Sequence, residues 1–156
     1  MPYPSPHVWN VRGGIWRCMN RRDLQSLSRE RLRDAWVLLT NGQHVGAYYM
    51  AGYAVECALK ACIARKTCRF DFPDRRTVAD SHTHDLNKLV ELADLRPQLD
   101  AAFSADKEFK LNWLLITDWK VEDRYNLDIV PDDAEELYRA ISARKSGMMA
   151  WIRRHW

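Results

Sequence analysis

The sixteen residues from Ala47 to Cys62 restrict this chain more than any others, because all but Glu56 and Lys60 are small, apolar or tyrosine. Read as a helix, the run sorts into stripes at spacings of three and four. Ala47, Ala51, Ala54, Ala58 and Ala61 form a ridge of small side chains that lets a neighbouring backbone approach closely. Tyr48, Gly52, Val55, Leu59 and Cys62 lie beside it and are also apolar. On the far side Tyr49, Tyr53, Glu56 and Lys60 line up, with the acid one turn before the base in the favourable order for an ion pair. Such a helix belongs at the centre of a fold. Its polar stripe is either a satisfied ion pair or a functional carboxylate, and the residues alone leave both open. A membrane-spanning reading is weak, since two charges near the middle would each cost about 2.5–3.5 kcal/mol on insertion.

The length of 156 residues suits one domain with a real core, and 47% hydrophobic with 29% charged residues excludes a disordered or membrane-embedded chain. Cys18, Cys57, Cys62 and Cys68 form no CxxC pair, and two of them sit in the apolar run, where cysteine acts as a small hydrophobe. With no export-type apolar stretch in residues 1–22, a reducing, cytoplasmic setting is expected. The formal charge of +3 hints at nucleic acid, but Arg12, Arg17, Arg21 and Arg22 are the only charged side chains of residues 1–22. Without them, 20 basic and 21 acidic groups remain in residues 23–156, a net of −1. A general basic field is therefore not indicated, although a local patch remains open.

Residues 1–22, rich in Pro, Gly, Trp and Arg, read as a disordered or loosely docked extension, with Met19 a candidate for the true start of translation. From Leu24 an apolar face runs through Leu27, Leu32, Ala35, Trp36, Leu38 and Leu39 until Asn41-Gly42 stops it. The central helix follows, from about Val45 to Arg65. Residues 67–83 read as a loop, and His84 or Asp85 then opens a short helix bearing Leu86, Leu89, Val90 and Leu92. Pro97 begins another helical region with a bend or break near residues 104–107. A polar loop runs from Trp119 through Arg124-Tyr125 to Pro131. The last helix opens at Asp132, with Glu135 three residues on as in a capping box, and Ala134, Leu137, Tyr138, Ile141, Met148 and Ile152 give it one apolar face. Nothing alternates as a strand does, so residues 23–156 are expected to form an all-α bundle of about five helices.

The central run from Ala47 to Ala61, His84-Asp85-Leu86 opening a helix, and a tryptophan-bearing segment closing on Arg124-Tyr125 before a final helix together resemble the HEPN domain. The resemblance covers residues 24–153. It implies a HEPN-like bundle of four to five helices and a homodimer, with the alanine ridge or the apolar last helix as the dimer face. Many such domains are metal-independent ribonucleases, whose arginine is followed after four to six residues by a histidine. Others bind nucleotides, or serve as partners of a small nucleotidyltransferase in toxin–antitoxin or defence systems. In the ribonuclease chemistry a histidine near neutral pKa moves the proton and a fixed cation steadies the phosphorane.

Arg124 best matches the arginine's position, but Asp128, Ile129, Val130 and Pro131 occupy the four to seven places after it. Arg76 and His82 satisfy the spacing within a loop, and a carboxylate such as Asp128, with a pKa of about 4, is a poor base. The expectation is a HEPN-like, noncatalytic binding or partner module, with no cofactor, no metal and no membrane association. The alternatives are a divergent ribonuclease using Arg124 or Arg76 with His82 or His84, and a nucleotide-binding domain. Tyr49, Tyr53, Glu56, Lys60, Arg124 and Tyr125 are the expected ligand-binding cluster for a nucleotide or RNA, with Arg124 pairing a buried Glu56 more rigidly than Lys60 does. His82-Thr83-His84 near Cys68, Asp71, Asp74 and Asp80 lacks a closed set at zinc spacing. Arg144, Lys145, Arg153, Arg154 and His155, with Trp151 and Trp156, fit a solvated helix end, or less directly a stacking surface for single-stranded bases.

Overall fold

The computed structural model describes residues 19–66 and 75–156, the side chains of residues 75–77 excepted. All the regular structure of these residues is helical, with no strand among them. Helix α1 (Arg21–Thr40) begins three residues before the expected Leu24. Asn20 caps it: its side chain accepts from the Asp23 amide at 3.1 Å, and the Asp23 carboxylate accepts from the Asn20 amide at 3.1 Å. Arg21 and Arg22 thus belong to the folded body, while residues 1–18 of the expected extension lie outside the described residues. Asn41 ends the helix, and Gly42, at φ 73°, takes the left-handed conformation that lets the chain reverse.

Helix α2 (His44–Lys66) then runs back along α1. The alanine ridge faces inward, with Ala51, Ala54, Ala58 and Ala61 wholly inaccessible. The small side chains allow close approach, and the buried Ser28 hydroxyl of α1 donates to the Ala54 carbonyl at 2.7 Å. Packing inside the protomer consumes the ridge that was expected to supply a dimer face. The apolar face of the last helix is consumed in the same way, since Ala134, Leu137, Ala140 and Ile141 are all buried.

After α2 come α3 (Arg75–Asp80), α4 (Leu86–Leu92), α5 (Arg96–Ala105), α6 (Lys107–Thr117), α7 (Pro131–Ser142) and α8 (Met148–Ile152); α4, α7 and α8 pack on α2, α6 on α7, and α5 on α6. The fold therefore has eight α-helices among the described residues rather than about five, for three local reasons. First, Arg75–Asp80 forms a turn and a half of helix within the segment expected to be loop. Second, the break near residues 104–107 separates α5 from α6, because the Asp106 carboxylate accepts from the Phe109 amide at 3.0 Å and starts a new helix. Third, the last helix is interrupted between Ser142 and Met148, where a Cβ at Gly147 would overlap the Ala143 backbone. Only glycine permits that close approach. The expected cap at Asp132 is also displaced: Val130 is the cap position, Pro131 opens α7, and the Asp133 carboxylate faces the Val130 amide at 3.5 Å.

Asp85 caps α4, accepting from the Asn87 and Lys88 amides at 2.9 and 3.2 Å, so the helix start is the work of Asp85 and leaves His84 free for another contact. Leu59, Leu89, Leu99, Ile116, Leu137, Ile141, Met148 and Ile152 close the core between α2 and its neighbours. No helix of the described residues is long and apolar enough to cross a membrane.

Candidate functional site

The polar stripe of α2 is where the helix meets α4 and the 3-10 turn Val121–Tyr125. Glu56 is 1% exposed, a buried carboxylate that requires compensation. Lys60 Nζ donates to Oε1 at 2.8 Å from one turn away on the same helix. His84 Nδ1, from the residue preceding the α4 cap, lies 3.0 Å from Oε1 and 2.9 Å from Oε2. The carboxylate is thereby held between an ammonium and an imidazole. The expected Arg124 partner is not there.

Arg124 instead lies on the solvent side of the 3-10 turn, with its guanidinium 4.8 Å from the centre of the Tyr125 ring. Tyr125, and secondarily Tyr49, hold its pKa above the usual value. Tyr49 stacks on Tyr53 at 6.0 Å and meets Trp119 at 6.0 Å, so an aromatic strip joins the Glu56 cluster to the Arg124 turn. The expected set Tyr49, Tyr53, Glu56, Lys60, Arg124 and Tyr125 does share one face of the molecule, but it divides into two stations. One is the buried Glu56–Lys60–His84 cluster; the other is Arg124 with Tyr125 and Tyr49.

Trp119 is the residue that sequence reading passed over. Its ring covers the α2 backbone at Gly52, where any Cβ would overlap the indole. A glycine in the middle of an otherwise strongly helical run was the available sign of that close approach. The indole is buried and its N–H finds no acceptor among the described residues. Trp119 and His84 both line a cleft of about 500 Å³, between the start of α4 and residues 117–122. Lys120 is its one ammonium, while Asp85 and Glu122 bring negative charge to the same walls.

His84 is 48% exposed at this cleft. Its Nδ1 faces the Glu56 carboxylate and Nε2 lies on the opposite side of the ring, the orientation in which a carboxylate holds a proton-transferring histidine. His82, two residues earlier, is exposed and stands apart from this cluster. Arg76 falls within α3, but its side chain lies outside the described residues. No three His, Cys, Asp or Glu side chains converge as a metal site among the described residues; Cys68, Asp71 and Asp74 lie outside them. Burial pushes the Cys57 thiol up to about 11 and the Cys62 thiol to about 12, so both stay protonated and inert at neutral pH.

The segment around Arg124 is acidic. From Asp118 to Glu136 eight carboxylates stand against two cations, Lys120 and Arg124. The resulting field reaches Tyr48, whose phenol is pushed up to about 12 by burial first and then by Asp123, Asp118 and Asp133. Within this stretch Tyr125, Leu127 and Val130 are 74%, 82% and 51% exposed. Comparison with family models, with curated proteins and with solved structures finds no match for this chain.

Proposed function

We propose that the chain is a noncatalytic HEPN-like partner module, which docks another protein through the acidic segment between Asp118 and Glu136. A toxin–antitoxin or defence pair with a nucleotidyltransferase is the setting that fits the resemblance. The observation that carries this reading is the outward placement of Tyr125, Leu127 and Val130 among carboxylates. Exposed apolar anchors within a single-sign field suit a protein surface of opposite charge. The same field repels the phosphates of an RNA at Arg124. Arg124 further lacks a following histidine and rests on Tyr125 and Tyr49, while the imidazole at the cleft is engaged with Glu56.

The test is an RNA-cleavage assay on purified protein with chelator present. The expected result is no turnover. Cleavage that survives chelation and disappears in Arg124→Ala would overturn the noncatalytic reading.

A second reading, a divergent metal-independent ribonuclease, draws support from one arrangement: His84, half exposed at the cleft with Nδ1 oriented by a buried carboxylate. It requires cleavage that is lost in His84→Gln as well as in Arg124→Ala.

A further inference from the structure

The near-neutral charge of residues 21–156, 22 basic and 21 acidic groups, conceals a separation created by the folding of the helices. Where α1 begins and α2 and α8 finish, Arg21, Arg29, Arg65, Arg153 and Arg154 come together from three distant parts of the chain. Arg21 Nη2 donates to the Trp156 backbone oxygen at 2.8 Å, and Arg65 Nη1 donates to that of His155 at 2.9 Å. The Arg29 guanidinium lies 4.9 Å from the centre of the Trp156 ring and the Arg153 guanidinium 5.9 Å from it. The groups also feel one another electrostatically: the His155 pKa is lowered by burial first and then by Arg154 and Arg65. All five arginines are exposed, and no Asp or Glu side chain of the described residues forms an ion pair with them; Arg21 reaches the oxygen of Trp156, the last residue of the sequence.

The acidic segment does not neutralise this cluster. It packs on α2 near Tyr48 and Tyr49, whereas Arg65 lies at the other end of that helix, about 24 Å away at the rise of an α-helix. At physiological salt electrostatic interactions decay over about 8 Å, so the two ends act as separate poles. A cluster of five arginines, of which the terminal oxygen of Trp156 offsets one, attracts an external polyanion. Arginine favours phosphate among such anions, because its planar fork matches the oxygens. Trp156 and the guanidinium planes around it add faces on which unstacked bases can lie, a feature that an acidic polypeptide has no use for.

We infer that this arginine-and-tryptophan end of the bundle binds single-stranded nucleic acid, with the arginines on phosphates and Trp156 among the bases. The site is at the opposite end of α2 from the proposed partner surface and is independent of it. The test is fluorescence anisotropy of the full chain with a short labelled oligouridine, titrated in salt from about 50 to 200 mM. Binding is expected to weaken with salt, by about 0.7 in the logarithmic slope for each phosphate contacted. Arg153→Gln/Arg154→Gln, both exposed, is expected to lower the slope by about 1.4 and to weaken binding roughly tenfold at about 0.1 M salt. Trp156→Ala is expected to weaken binding with the slope unchanged. The matched change Lys107→Gln/Lys110→Gln, on the exposed side of α6, leaves both quantities as they were. Absence of binding at low salt, equal binding of polyglutamate of the same charge, or full retention of binding by the Arg153/Arg154 variant would each overturn the inference. Circular dichroism of every variant separates loss of binding from loss of fold.

Discussion

Replacing Glu56 by glutamine removes a charge while keeping nearly the same volume, so it isolates the electrostatic role of the one carboxylate that is buried among the described residues. The wild-type side chain is 1% exposed and receives Lys60 at 2.8 Å and His84 at 2.9 Å. A hydrogen bond to a charged group contributes about 1.5–3 kcal/mol, and an amide oxygen retains only part of it. The Lys60 side chain is 21% and the His84 side chain 48% exposed, so water recovers some of their solvation once the carboxylate is gone. The expected loss is therefore about 2–4 kcal/mol, below the full cost of orphaning a buried ion. For a domain of this size it corresponds to a fall in Tm of roughly 6–12 °C. Urea unfolding followed by circular dichroism measures it directly. A double-mutant cycle with Lys60→Met adds the decisive quantity: the lysine change should cost at least about 1 kcal/mol less in the Glu56→Gln background than in the wild type. A loss below about 0.5 kcal/mol together with no coupling would show that the cluster neither carries a buried charge nor holds α4 against α2, and the account of the site would fall.

The remaining stability predictions follow from burial and close approach. Cys57 and Cys62 have folded pKa values of about 11 and about 12 against an ordinary 9.0, and Tyr48 about 12 against 10.0. Because the folded values are raised, their stabilising contribution is complete below about pH 9 and is lost as pH rises to about 12. Unfolding free energy measured from pH 8 upward should therefore fall, and Cys62→Ala should flatten the fall; a profile level to pH 11 would refute the assignment. Gly52→Ala forces a methyl into the Trp119 indole, and overpacking of this kind costs about 1–3 kcal/mol. Tryptophan fluorescence should report displacement of the ring, and an unchanged spectrum with unchanged stability would show that the indole does not lie on that backbone.

Local features were legible where the physics that sets them is local. The end of α1 at Asn41-Gly42, the bounds of α2 to within a residue, the opening of α4 and the break before α6 all follow from periodicity and capping within a few residues. The last helix was misread because its apolar spacing continues through Met148 and Ile152, while its interruption depends on Gly147 meeting the Ala143 backbone. The site was half legible. Tyr49, Tyr53, Glu56 and Lys60 share a helix face at fixed spacing, and Glu56–Lys60 pairs as that spacing requires. His84 as the second partner of Glu56 was not legible, since 28 residues separate them and no periodicity links the two.

By itself the sequence determined the all-helical class, the central place of the small-residue helix, the starts of α2, α4 and α5 to within a residue, and the break before α6. These depend on side-chain spacing and capping, which are encoded over one or two turns. Only the tertiary structure decided that the alanine ridge packs on α1 within the protomer, that His84 rather than Arg124 meets Glu56, and that a chain of nearly balanced charge carries an arginine pole and an acidic pole at opposite ends of α2. The reason is physical: pairing and fields depend on distances through space, and a count of charges along the chain contains none of them.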